Sequence, residues 1–163
     1  MTNIWLFPGT FDPITLGHET TIRRISNLCD ELHICVIENY NKTPLFSLSE
    51  RISFIQSVCD DLSNIKVLYV PQFTCKYART IGAKIIIRGL RSAHEYEQET
   101  NLANYYRNQY PDIETLFLPS EEISGFYPSS TLLKDICLHN GNLSNLINPK
   151  IAETVKQRIM EGK

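Results

Sequence analysis

FPGTFDPITLGHET, residues 7–20, packs two glycines, two prolines, three threonines, an aspartate and a histidine into fourteen positions. It follows NIWLF (residues 3–7), an apolar run that reads as a buried strand. It leads into GHETTIRRISNLC, where Ile22, Ile25, Leu28 and Cys29 fall on one helical face. The stretch therefore reads as a strand-turn-helix. Gly9 allows an approach that a Cβ would forbid, and Pro13 stiffens the turn. A helix opening at Thr15 to His18 begins with N–H groups that have no intrahelical partner, and these, with the helix dipole, favour an anion. His18 then stands in the first turn, where its ring can bond the same anion. The alternative is a plain turn with an incidental histidine. The density of constrained residues in one string favours the ligand-holding reading.

Outward from this unit the same rhythm repeats. LHICVIE reads as a second strand, and SLSERISFIQSVCDDL as a helix with capping-box spacing at Ser47 and Glu50. IKVLYV, KIIIRGL and ETLFLP read as further strands. KYARTIGA, AHEYEQETNLANYYRNQY, SSTLLKDICLHN and NPKIAETVKQRIM read as helices, the last with proline in its first turn. Strands alternating with helices predict a doubly wound, Rossmann-like α/β fold. We expect five parallel strands, helices on both faces and helices closing the C-terminus. With 163 residues and no linker or repeat, one domain over residues 1–163 is expected.

Composition excludes several classes. The formal net charge is −2, so no global basic field argues for nucleic acid or an anionic membrane. The apolar runs are too short to span a bilayer, and the N-terminal stretch lacks the pattern of a secretory signal. Five scattered cysteines without C-x-x-C spacing suit reduced thiols, and the expected location is cytoplasmic. Neither G-x-x-x-x-G-K-[ST] nor G-x-G-x-x-G occurs, which disfavours a P-loop ATPase or a nicotinamide dehydrogenase.

In doubly wound sheets ligands sit beyond the carboxyl ends of the strands. After the second strand, NYNKTPLF places Lys42 in a polar loop, as a ligand contact or a solvated charge. After the fourth, IRGLR brings Arg88 and Arg91 around Gly89. Two guanidiniums there suit phosphate oxygens, or else they bridge to EYEQE downstream. Glu95, Glu97 and Glu99 cannot all share one helical face. After the fifth strand, Ser129, Ser130 and Thr131 open a helix, either to hold an anion or simply to cap it.

These residues resemble a known family. GTFDPITLGH is similar to the signature of nucleotidyltransferases with a (T/H)-x-G-H motif, here Thr15-Leu16-Gly17-His18, and SSTLLK resembles their second signature. PGTFDPITLGH with Lys42, IRGLR and Glu99 resembles the bacterial phosphopantetheine adenylyltransferases over nearly the full chain. The resemblance implies transfer of an adenylyl group from ATP to 4'-phosphopantetheine, giving dephospho-coenzyme A and pyrophosphate. It further implies Mg²⁺ carried on the ATP phosphates with no assigned protein ligand, a homohexamer, and feedback by coenzyme A.

By the same resemblance, Thr10 and His18 contact the ATP α-phosphate, and Lys42 contacts both phosphates that react. Arg88 and Thr74 bind the acceptor, with Thr10 and Lys42. Arg91 holds ATP phosphates. Phe11, Gly89, Leu90, Glu99, Tyr127, Pro128, Ser129, Ser130 and Thr131 line the nucleotide site. The catalytic set is Thr10, His18, Lys42 and Arg91. Three positions depart from the family pattern. Thr74 replaces an apolar residue, Tyr105-Tyr106-Arg107 stands where an MNR segment is usual, and SGFYP before Ser129 carries proline for isoleucine. The competing readings are a sister enzyme acting on nicotinamide mononucleotide or glycerol 3-phosphate, and a non-catalytic nucleotide-binding module.

Overall fold

The computed structural model describes residues 2–39, 41 and 43–162. Along the chain run β1 (Ile4–Gly9), α1 (Leu16–Ser26), β2 (Glu31–Val36), α2 (Leu48–Val58), β3 (Ile65–Tyr69), α3 (Thr74–Ile81), β4 (Ile85–Leu90), α4 (Ala93–Gln109), β5 (Glu114–Pro119), α5 (Ser130–Leu138) and α6 (Pro149–Glu161). The strands form one parallel sheet in the order β3-β2-β1-β4-β5. The expected alternation and both helical faces are present. Successive side chains on a strand point to opposite faces, and the core divides accordingly. Phe7, Ile34 and Ile87 pack with α1, α2, α5 and α6, while Leu6, Cys35 and Ile86 pack with α3 and α4.

The chain order reverses at β1, which lies between β2 and β4. β1 pairs with β2 along its whole length, Ile4 to Gly9, but with β4 only at Trp5–Ile85 and Leu6–Ile86. Beyond that point β4 pairs with β5 alone, through Leu90. The carboxyl halves of β1 and β4 thus part, and the parting opens a cleft at the topological switch point. Pro8 falls in this stretch. Its carbonyl accepts from Arg88 Nη1 at 2.9 Å across the gap, so its missing N–H, on that same edge, costs no ladder bond.

Asp12 ties the surrounding loops together. It is 9% exposed, and its carboxylate accepts from the backbone N–H of Leu45 (3.1 Å) and Phe46 (2.9 Å) and pairs with Lys134 of α5. One side chain thereby joins the β1–α1 loop, the approach to α2, and α5. The expected capping box at Ser47 and Glu50 is formed, and it starts α2 just beyond that contact. Asp12→Ala should destabilise the fold by about 3 kcal/mol in urea unfolding, since it orphans two N–H donors and an ammonium. Asp12→Asn should lose less.

Candidate active site

A cleft of about 580 Å³ lies over the parted strands. Thr10, His18, Arg88, Gly89, Arg91, Glu99, Tyr127 and Pro128 line it, residues drawn from the ends of β1 and β4, from α1 and α4, and from the approach to α5.

The opening stretch works here as a packed unit. Thr15 caps α1, and its backbone N–H donates to His18 Nδ1 at 3.1 Å. Nδ1 is therefore the acceptor, and in the neutral ring the proton sits on Nε2. Burial, aided by the neighbouring Arg91 charge, lowers the His18 pKa from the ordinary value to about 4. At neutral pH His18 is a neutral donor of fixed orientation. Phe11 does not line the cleft. It supports His18 from behind, edge to ring at 5.2 Å between centroids.

The two distant motifs meet at one rim. The Thr15 hydroxyl lies 2.9 Å from His18 Nδ1 and 3.2 Å from the Pro128 carbonyl oxygen, and the Ser130 hydroxyl donates to the Pro13 carbonyl at 2.8 Å. A Cβ on Gly17 would lie 2.7 Å from the Pro128 carbonyl oxygen, so glycine is what lets α1 approach this backbone. The N-termini of α1 and α5 are thereby brought side by side. Ser129 is the N-cap of α5 and accepts from the Leu132 N–H, as simple capping requires. Ser129, Ser130, exposed Thr131, and Leu90 do not reach the cleft lining.

Both arginines line the cleft, and both also bridge to EYEQE. Arg88 meets Glu99 in a two-pronged pair, Nε to Oε2 at 2.6 Å and Nη2 to Oε1 at 2.7 Å. Arg91 pairs with Glu95, which also accepts from the Arg91 backbone N–H at 3.0 Å. Glu95 and Glu99 are four residues apart on α4 and share a face.

Thr74 lies off the cleft lining. It is buried at the start of α3 and shares a hydrogen bond with the equally buried Tyr106. Two of the three departures from the family pattern are therefore one contact. Lys42 lies outside the described residues. The cleft further recruits Glu38, Asn39 and Asn41 after β2, Ser120 and Glu121 after β5, and Glu95 and Gln98 on α4. The strand-end rule applied to every residue of ENYN and PSEE would have found the first five. No cysteine lines the cleft, and burial pushes Cys35 and Cys59 up to about 12.

The cytidylyltransferase-like family profile matches residues 6–136. The phosphopantetheine adenylyltransferase of Tolumonas auensis is 38% identical over 156 residues, covering 96% of this chain and 94% of that one. That of Nitrosospira multiformis is 37% identical over 155 residues, covering 94% and 93%. This chain belongs to the phosphopantetheine adenylyltransferase family. Two solved structures share the fold. One is a candidate nicotinate-nucleotide adenylyltransferase from Vibrio parahaemolyticus, with TM-score 0.65, 17% identity, and coverage of 99% of this chain and 93% of that one. The other is a bifunctional NMN adenylyltransferase/ADP ribose pyrophosphatase from Francisella tularensis, with TM-score 0.68, 15% identity, and coverage of 96% and 49%.

Membership in this family directs attention to the protonation of His18. Its NMR resonances should stay unshifted between pH 8 and pH 6 and titrate with a midpoint near 4. Arg91→Met removes a charge that opposes protonation, so it should raise that midpoint. Because burial is the larger cause, the return toward the ordinary value should be partial.

Proposed function

We propose that this protein transfers the adenylyl group of ATP to 4'-phosphopantetheine, releasing pyrophosphate and dephospho-coenzyme A, with residues 1–163 acting as one catalytic domain. The observation that carries this reading is near-full-length similarity to two phosphopantetheine adenylyltransferases at 37% and 38% identity. The cleft that unites Thr10, His18, Arg88 and Arg91 supports it.

The acceptor phosphate is already a nucleophile, so no side-chain base is needed. The chain's task is to hold two repelling anions in line and to stabilise charge on the transferred phosphoryl group. Neutral His18 donates from Nε2 to an α-phosphate oxygen, with Thr10 beside it. Arg88 and Lys42 hold the acceptor phosphate, and Arg91 the outer ATP phosphates. The α1 and α5 N-termini add donors. Gly89, Glu99, Tyr127 and Pro128 bound the nucleotide.

Mg²⁺ fits this site as a passenger on the ATP phosphates. Among the described residues no group of three or more His, Cys, Asp or Glu side chains is placed to hold a metal. When bound it neutralises phosphate charge.

A homohexamer is supported by exposed aromatic surface on one side of the sheet. Phe73 (60% exposed) stacks near Tyr105, and Tyr96 (53%) near Phe117. Light scattering should return about six times the 18.8 kDa chain mass. Coenzyme A, which shares the product's pantetheine arm, is proposed to compete at the cleft. A cytoplasmic location is supported by the free thiols, and no described helix is long and apolar enough to cross a membrane.

Pyrophosphate release tests the reaction, with phosphopantetheine, nicotinamide mononucleotide or glycerol 3-phosphate as acceptor and ATP or CTP as donor. Turnover is expected with ATP and phosphopantetheine. Turnover with another acceptor and none with phosphopantetheine would replace this reading by a sister transferase. Tight ATP binding without any turnover would leave only a binding module. His18→Ala should lower kcat about a hundredfold or more with the fold retained, as for loss of a transition-state donor. Arg88→Ala should weaken phosphopantetheine more than ATP, and the reverse order would overturn its assignment.

A further inference from the structure

Arg51 of α2 is 3% exposed, the one arginine or lysine among the described residues that is buried. Its Nη1 donates to the Thr10 carbonyl at 3.0 Å and lies 3.4 Å from the Ile37 carbonyl. These carbonyls stand immediately beyond β1 and β2. Among the described residues no carboxylate pairs with Arg51, and its Nε has no hydrogen-bond partner. A guanidinium does not lose its charge, so burying one without a carboxylate is unfavourable. An apolar side chain of similar volume would fill the space more cheaply. Shape alone does not explain Arg51.

The next residue supplies a reason. Phe11 holds a φ of 47°, a left-handed backbone that bulky residues rarely adopt and that persists only where the surroundings over-determine it. On one side its ring is locked against Phe7, Gly9 and His18. On the other, Arg51 grips the carbonyl of the preceding peptide. That peptide is planar and trans, so the Phe11 N–H points opposite to the gripped carbonyl. A cation on the carbonyl side polarises the peptide and strengthens the N–H as a donor. Arg51 itself lines a chamber of about 310 Å³ beside the main cleft, not the cleft. Thr10, Glu38 and Asn39 line both, and Arg51 bonds the Thr10 carbonyl directly, so Thr10 carries its influence to the cleft.

We propose that Arg51 is a positioning residue for the transfer reaction. It fixes the Thr10–Phe11 peptide and ties it to the end of β2. Thr10, and His18 with the Phe11 ring packed behind it, thereby keep their directions toward the reacting phosphates. The inference rests on the adenylyl-transfer reading, and it gives a role in that reaction to a residue that touches neither substrate.

The test compares wild type, Arg51→Met, which keeps the volume, and Arg51→Lys, which keeps the charge but not the fork. Thermal midpoints, kcat, both KM values and the calorimetric Kd for ATP are measured well below the midpoints. Arg51→Met should lose on the order of a hundredfold in kcat through misplacement of the reacting groups, with the Kd for ATP within about twofold of wild type. Arg51→Lys should recover part of the loss. If Arg51→Met does not fold, Arg51→Lys decides alone: a kcat about fivefold or more below wild type, at unchanged Kd for ATP, supports positioning. A folded variant with wild-type kcat per folded molecule overturns it, whatever its thermal midpoint. Wild type inert toward phosphopantetheine sinks the functional reading instead, and that arm is run first.

Discussion

β1 and β4 stop pairing after Leu6 and Ile86, and the rest of the site depends on that parting. Two parallel strands that separate leave backbone groups without ladder partners, which is tolerable only if something else meets them. Arg88 answers on the protein's side by donating to the Pro8 carbonyl across the gap. β2 holds β1 in place as far as Gly9, and β5 holds β4 as far as Leu90, so neither strand collapses toward the other. The cleft is therefore a product of strand order. Reversal at β1 sends the connections from its two neighbours to opposite sides of the sheet, and the space between is left for a ligand.

The two arginines at this cleft are already engaged. Glu99 occupies two donors of Arg88, and Glu95 occupies Arg91. Both carboxylates come from one face of α4, so the helix presents a pair of anions to a pair of cations. A phosphate entering the cleft gains only the difference between its own charge-assisted bonds and those it displaces or shares. That lowers raw affinity, but it holds the guanidinium planes in register before substrate arrives. Less ordering is then left to be done on binding.

Much of this was legible in the chain. Periodicity gave the alternation of strands and helices, and the strand-end rule led to Arg88, Arg91 and His18 before any coordinates. Ser47 and Glu50 announced their capping box through spacing alone, because capping is local. What escaped was set by contacts between distant positions. Gly17 reads only as the opening of a helix within a motif, yet its lack of a side chain serves an approach to Pro128, over a hundred residues away. Thr74 and Tyr106 read as two separate departures and prove to be one buried hydrogen bond. Arg51 reads as an ordinary charged position on an amphipathic helix, and nothing in its neighbours reveals a carbonyl waiting beyond β1.

His18 shows how local and distant effects combine. Its place in the first turn of α1 is written in the sequence, but its charge state is not. The Thr15 N–H, three residues back, fixes which ring nitrogen holds the proton. Burial and Arg91, brought over from another strand, keep the ring neutral. A neutral donor can stabilise charge growing on an oxygen without adding a cation to a site whose arginines are already paired with carboxylates. In the proposed reaction the electrostatic work would divide accordingly: arginines and helix N-termini would hold charge that is present throughout, while His18 would meet charge that appears only during transfer. The Thr15–His18 hydrogen bond makes that division possible, because a ring free to rotate would lose its donor at the moment it is required.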